Sequence, residues 1–222
     1  MAPERVSAKY SDQSSARAYA AWQLAMAAPL AHANAARFQP FVRSDDIVLD
    51  FGCGGGGILQ HLACGRRIGV EPNPTAREEC AMLGIECYPD VVSAPAPVDV
   101  VISNHALEHC LSPYDDLCAL RHSLRPGGTL VLVLPINDWR SERRPHLPDL
   151  HHHLYTWTPQ LIANLLSEVG FFVERASVLT HAWPPGFSRL HGRIPTALWE
   201  AGCYFTSALL LRRQILTVAR RV

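Results

Sequence analysis

The chain has 222 residues, 48% hydrophobic and 18% charged, which is too apolar for disorder and leaves room for one compact core but not for two large domains. Twenty Lys and Arg balance twenty Asp and Glu, so no global field favours nucleic acid or an anionic membrane, and no nucleic-acid partner is expected. The seven cysteines are irregularly spaced, with no C-x-x-C pair. Neither a disulfide framework nor a zinc knuckle is indicated, and a cytoplasmic setting is expected.

The opening stretch MAPERVSAKYSDQSS lacks an apolar core of signal-peptide length, so export by that route is not expected. Ser11 or Asp12 is placed to cap a helix running through the alanine-rich stretch toward Phe38, with Trp22, Leu24 and Met26 among its apolar positions. Ile47, Val48, Leu49 and Asp50 then form an apolar run into a glycine loop, and Ile58, Leu59 and Leu62 have the helical spacing that follows. The alternation continues with a strand at Arg67–Val70, a helix at Thr75–Leu83 and a strand at Ile85–Tyr88. Next come a strand at Val98–Ser103, a helix at Pro113–Leu124 and a strand at Thr129–Leu134 after a turn at Pro126, Gly127 and Gly128.

Strands alternating with helices imply right-handed crossovers and a mostly parallel sheet covered on both faces. Asn137 to Asp149 reads as a long loop on the carboxyl edge, where active sites are usually built. Thr158 can cap a helix over Pro159–Val169 that Gly170 ends, and Phe171–Leu179 reads as a sixth strand. The apolar stretch Ile194–Leu211 is marginal for a membrane span and carries Glu200 near its centre. It is read as a buried or interfacial helix inserted before a closing strand at Gln214–Val218.

Gly52, Gly54 and Gly57 satisfy G-x-G-x-x-G after a strand and at the start of a helix, and Glu71 ends the next strand. Glycine lets the backbone turn sharply and approach a ligand without a Cβ in the way. The pattern alone does not separate a dinucleotide from other nucleoside ligands. Asp50, two residues before the first glycine, would oppose a pyrophosphate. A zwitterionic methionine tail fits better, because its ammonium favours a nearby carboxylate while loop amides meet its carboxylate. Glu71 suits two ribose hydroxyls.

The segment VLDFGCGGG resembles the first motif of class I S-adenosylmethionine-dependent methyltransferases of the small-molecule, type 11 kind, and GVEPNP resembles the second. DVVISNHALEHC and LRPGGTLVLVLP are similar to the fourth- and fifth-strand motifs. The resemblance covers residues 45–180. It implies an α/β, Rossmann-like, seven-stranded, mostly parallel sheet with helices on both faces, an N-terminal helical extension and a helical insertion before the last strand. One methyltransferase domain is expected over 1–222, made of a helical cap (1–44), a catalytic core (45–180) and an apolar helix with closing strand (181–222).

The implied cofactor is S-adenosylmethionine, with S-adenosylhomocysteine as product and a small-molecule O or N acceptor, lipid- or sugar-linked acceptors included. By the same resemblance Asp50, Gly52, Cys53 and Gly54 line the methionine and ribose side, Glu71 binds ribose, and Pro72 and Asn73 flank the adenosine. Asp90 is the candidate beside the adenine. Asn104 and His105 lie beneath the sulfonium and face the acceptor, and Glu108 and His109 belong to the family's L-E-H pattern. Cys53 is read as a small loop residue, since methyl transfer needs no covalent cysteine. An NAD-dependent oxidoreductase and a non-catalytic S-adenosylmethionine-binding subunit are the alternatives.

A base is optional for an activated sulfonium donor, and alignment with exclusion of water does much of the work. The catalytic candidates are His105, at the strand end nearest the methyl, with His153 and Tyr155 from the segment DLHHHLYTWTP. His151, His152 and His153 cannot all face one site, because successive side chains diverge. No ligand spacing joins them to Asp138 or Asp149 as a defined metal site, and none is assigned. Arg140, Arg143 and Arg144 read as a solvated face. Arg212, Arg213, Arg220 and Arg221 flank the last strand beside the apolar helix. Peripheral membrane contact is compatible with that combination but not favoured, and a homodimer interface through the same helix suits it at least as well.

Overall fold

A computed structural model describes residues 30–137, 144–145, 149, 152–184 and 193–222. The expected positions Trp22, Leu24, Met26, Asp138, Arg140, Arg143 and His151 lie outside the described residues. The helices are α1 (Ala31–Phe38), α2 (Gly57–His61), α3 (Pro74–Met82), α4 (Pro113–Ser123), α5 (Pro159–Val169) and α6 (Thr196–Leu210). The strands are β1 (Ile47–Phe51), β2 (Arg66–Val70), β3 (Glu86–Tyr88), β4 (Val98–Asn104), β5 (Leu124–Ile136), β6 (Phe171–Leu179) and β7 (Arg213–Arg221).

They form one seven-stranded sheet in the order β3-β2-β1-β4-β5-β7-β6. The five central and left-hand strands run parallel, and β7 pairs antiparallel with both β5 and β6. The expected mostly parallel sheet, the N-terminal helix and the helical insertion before the last strand are all present, with α6 as the insertion. The strand order reverses between β1 and β4, which opens a crevice at their carboxyl ends where open α/β sheets bind ligands.

Alternation along the strands divides the core between the two faces, because successive side chains point opposite ways. Leu49, Val101, Leu130 and Leu132 pack with Leu117, Leu120, Ile162 and Leu166 of α4 and α5. Val48, Val100, Val131 and Val133 pack on the other face with Phe38, Leu59 and Leu62. Both faces are therefore covered, and the strands read as continuous apolar runs.

Local signals end the elements where expected. Thr158 accepts a hydrogen bond from Leu161 N at 3.1 Å and caps α5, and Gly170 ends it at φ 94°. β5 is longer than the expected Thr129–Leu134, because the Pro126-Gly127-Gly128 turn is absorbed into the strand as a bulge between the pairs Val98–Leu124 and Val100–Thr129. Among the described residues no helix is long and apolar enough to cross a membrane. Leu198, Tyr204, Phe205, Leu209 and Leu210 of α6 are exposed.

Candidate active site

The loop after β1 is held against β2 by two backbone bonds, Gly52 N to Val70 O at 2.8 Å and Cys53 N to Val70 O at 3.2 Å. Gly52 has φ 76°, and a Cβ there would lie 2.3 Å from Ala106 Cβ. This is a close approach of two carboxyl-edge loops that only glycine permits. Cys53 and Gly54 continue the turn, and the chain enters α2 at Gly57.

Asp50, near the end of β1 just before this loop, is buried, with neither carboxylate oxygen accepting a hydrogen bond from any described residue. Burial pushes its carboxyl up to about 8, with further contributions from Cys87 and Glu71. An unpartnered buried carboxylate facing a glycine turn calls for a donor brought by a ligand. Glu71 is buried too, but its oxygens are engaged, Oε2 by Gly54 N at 3.0 Å and Oε1 by Asn73 N at 2.9 Å. Burial raises it to about 7 against these two backbone bonds. Each oxygen keeps a further lone pair, so the carboxylate can still receive two hydroxyls.

Pro72 and Asn73 follow directly. Asn73 caps α3 by accepting from Thr75 N at 3.0 Å, and Pro72 O accepts from Arg77 Nη1 at 2.7 Å. The structure therefore brings Asp50, Gly52, Cys53, Gly54, Glu71, Pro72 and Asn73 to one rim. Asp90 stands differently. It is exposed and accepts from Ser93 N at 2.8 Å and Ser93 Oγ at 2.9 Å, which ties it to its own turn.

The facing rim begins at the end of β4. Asn104 Oδ1 is buried and unpartnered among the described residues. His105 N donates to Val133 O at 2.9 Å, and the residue adopts φ 56°. A non-glycine residue in that region costs on the order of 1–2 kcal/mol. The strain coincides with the Gly52–Ala106 contact, where the two loops meet.

His105 Nδ1 lies 3.4 Å from Glu108 Oε1, an ion-pair distance too long and loose for a good hydrogen bond, and Glu108 is fully buried. Burial pushes the Glu108 carboxyl up, but His105 and His109 outweigh it and hold the group below its usual range. On its other side, one ligating atom each of Glu108, His109 and His153 lies within 4.8 Å of the others. His153 Nδ1 also contacts Asn137 Nδ2 at 3.0 Å. Glu108 is thus the centre of a cluster that joins His105 to His153 across 48 residues of sequence. Tyr155 lies beside the cluster, its N–H donating to Glu108 O at 3.3 Å, its hydroxyl donating to Leu111 O at 3.2 Å and its ring stacked on Trp157. Arg144 is exposed.

Sequence reasoning put no weight on Glu108 beyond the L-E-H pattern, nor any on Arg77, Cys80 or Cys87. An acid three residues after His105 was the available signal for Glu108. The two cysteines had none, because only folding brings them near Cys53.

The residues fit S-adenosylmethionine: an ammonium would give Asp50 the partner it lacks, Glu71 keeps lone pairs for two hydroxyls, and Gly52 leaves the turn open. A dinucleotide fits less well, since nicotinamide-binding sheets are parallel throughout in the order 3-2-1-4-5-6, whereas here an antiparallel strand lies between β5 and β6.

Comparison with known proteins agrees. Residues 22–176 match the family described as the methyltransferase domain. Among solved structures, geranyl diphosphate methyltransferase in complex with S-adenosylmethionine superposes with a TM-score of 0.63 at 19% identity, covering 98% of this chain and 96% of that one. The methyltransferase complex with the Trm112 activator from Haloferax volcanii gives 0.63 at 19% identity, covering 93% and 95%. At that identity the likeness is one of fold. Two curated relatives are each named tRNA U34 carboxymethyltransferase. The one from Cellvibrio japonicus is 35% identical over 112 residues, 42% of this chain and 34% of the relative. The one from Pseudoalteromonas translucida is 33% identical over 102 residues, 38% and 30%. The chain spans about a third of the length of these relatives.

These relatives correct two expectations. A small-molecule acceptor was implied by the family resemblance and the absence of a nucleic-acid partner was read from an even charge balance, yet both relatives act by name on tRNA. Net charge averages over the surface and does not exclude a local footprint around one site. The match over most of the chain, the strand order and the donor rim lead to one assignment: the chain belongs to the methyltransferase domain family, within the class I S-adenosylmethionine-dependent methyltransferases.

Proposed function

We propose that the chain alkylates a base of an RNA, with a tRNA anticodon uridine as the first acceptor to test. The observation that carries this reading is the pair of tRNA-modifying relatives, at 35% and 33% identity. The acceptor rim supports it. Tyr155 is exposed, its ring backed by Trp157 at 5.9 Å and its hydroxyl pinned to Leu111 O. A fixed, half-open aromatic face suits stacking of an unpaired base. All seven cysteines are free thiols, which supports a reducing, cytoplasmic setting.

When bound, the donor supplies a carbon already activated on a sulfonium. The protein's work is to hold and align. Asp50 fixes the methionine end, Glu71 the ribose, and the Gly52 turn keeps the backbone close. His105 stands at the sulfonium side of the crevice with Nδ1 toward Glu108, so its other ring nitrogen is free to take a proton from an O–H or N–H acceptor. Glu108 then stabilises the imidazolium that results.

The test is incubation of the purified protein with methyl-labelled S-adenosylmethionine and bulk tRNA, followed by nucleoside mass spectrometry. Label in a tRNA nucleoside is expected. Glu71→Ala should weaken S-adenosylhomocysteine binding by about 1–3 kcal/mol. His105→Ala and His153→Ala should cut turnover, by up to about 100-fold or more for a lost general base, with donor affinity little changed. Tight S-adenosylhomocysteine binding with no label in any RNA overturns the RNA reading, and absence of turnover on every acceptor tried favours a non-catalytic donor-binding role.

A further inference from the structure

Beneath the donor loop lies a cluster that methyl transfer does not use. Cys53 comes from the loop, Cys80 from α3 and Cys87 from β3, and their three Sγ atoms lie within 4.8 Å of one another. Cys53 Sγ is 3.8 Å from Cys80 Sγ and 3.6 Å from Cys87 Sγ. An ion bound at about 2.3 Å from each sulfur holds them about 3.8 Å apart in a tetrahedron and about 4.0 Å apart in a trigonal plane. The sulfurs already stand near that spacing.

The surroundings leave space for them. A Cβ at Gly69 would lie 2.6 Å from Cys53 Sγ and 3.0 Å from Cys87 Sγ, so the floor of the cluster depends on a missing side chain. Cys80 is fully buried, and Cys87 is partly exposed. Three sulfurs with no imidazole or carboxylate among them select soft ions over magnesium or calcium.

We propose that Cys53, Cys80 and Cys87 form a trithiolate site for a soft d10 cation of the zinc or copper(I) class, and that filling it weakens binding at the donor loop. The link runs through Gly54. Its N–H donates to Glu71 Oε2 at 3.0 Å, and its carbonyl accepts from Cys80 Sγ at 3.2 Å and from Cys53 Sγ at 3.4 Å. Thiols lose their protons on binding an ion, so both sulfur contacts to Gly54 O would be lost and the loop that positions Glu71 would move. This coupling rests on reading the loop as the donor site; the ion site itself does not.

The test uses the reduced full chain. Zn(II) uptake is measured against a chromophoric chelator, and Cd(II) uptake by the thiolate-to-metal charge-transfer absorbance. One equivalent is expected, bound at least about tenfold more weakly in Cys80→Ser and in Cys87→Ser and unchanged in the control Cys64→Ser. S-adenosylhomocysteine titration of the zinc-loaded protein should show weakened affinity, restored by chelation. Failure to take up an equivalent, or uptake that both variants leave intact, overturns the site. Uptake with S-adenosylhomocysteine affinity unchanged overturns the coupling.

Discussion

The two rims of the crevice are built in opposite ways. On the donor rim, Asp50, Gly52, Gly54, Glu71 and Asn73 lie within 24 consecutive residues and are held largely by backbone bonds, such as Gly54 N and Asn73 N to the Glu71 carboxylate. On the acceptor rim, Glu108 lies beside His105 and, with His109, meets His153 from a segment more than forty residues away, through side chains. The first arrangement suits a ligand common to a whole family. The second can change its acceptor by altering a few side chains without disturbing the donor.

Three experiments can break or sharpen that contrast. The largest effect is expected at the loop contact. Gly52→Ala forces a methyl to 2.3 Å from Ala106 Cβ at φ 76°, whereas Gly127→Ala at φ 75° meets nothing within 4 Å. Both carry the cost of a left-handed alanine, about 1–2 kcal/mol, but only Gly52→Ala displaces the donor turn. S-adenosylhomocysteine affinity should fall by about 100-fold or more in Gly52→Ala, as for misplacement on the order of an ångström, and stay near wild type in Gly127→Ala. Equal losses in calorimetry would mean the steric contact is irrelevant.

A smaller effect is expected from Glu108→Gln, which keeps the shape and removes the charge beside His105. Turnover should fall by roughly tenfold at neutral pH with donor affinity unchanged. Unchanged turnover would make Glu108 a packing residue only.

The smallest is the pH response of the donor rim. Asp50 and Glu71 are raised to about 8 and about 7 from ordinary carboxylate values. A raised folded value means stability that is present below the unfolded value near 4 and is lost as pH rises through 7 to 8. Thermal melts of the ligand-free protein should therefore decline across that range. S-adenosylhomocysteine affinity should rise over the upper part of it, because ammonium binding favours ionised Asp50. Asp50→Asn should flatten both trends by a few-fold in affinity; a wild-type pH profile in that variant would remove Asp50 from donor binding.

Much of the architecture was legible in the chain. Val48–Leu49 and the run from Leu130 to Leu134 announce buried strands, Thr158 and Gly170 bound α5, and the alternation of strands and helices implies parallel crossovers. Boundaries were missed where tertiary pairing extends an element: β7 runs over Arg213–Arg221 because it is sandwiched between β5 and β6, a position no local pattern reveals. Asp90, the expected neighbour of the adenine, is tied into its own turn by a serine three residues on.

By itself the sequence determined the donor: a carboxylate, glycines and a second carboxylate at short spacing on successive strands leave little choice of ligand, because such contacts are made by neighbouring backbone. Only the tertiary structure decided what surrounds it. The Glu108 cluster, the contact of Gly52 with Ala106 and the three sulfurs beneath Gly54 each join segments far apart in the chain. Their distances follow from how β1, β2, β3 and β4 stack their ends, which no spacing along the chain encodes.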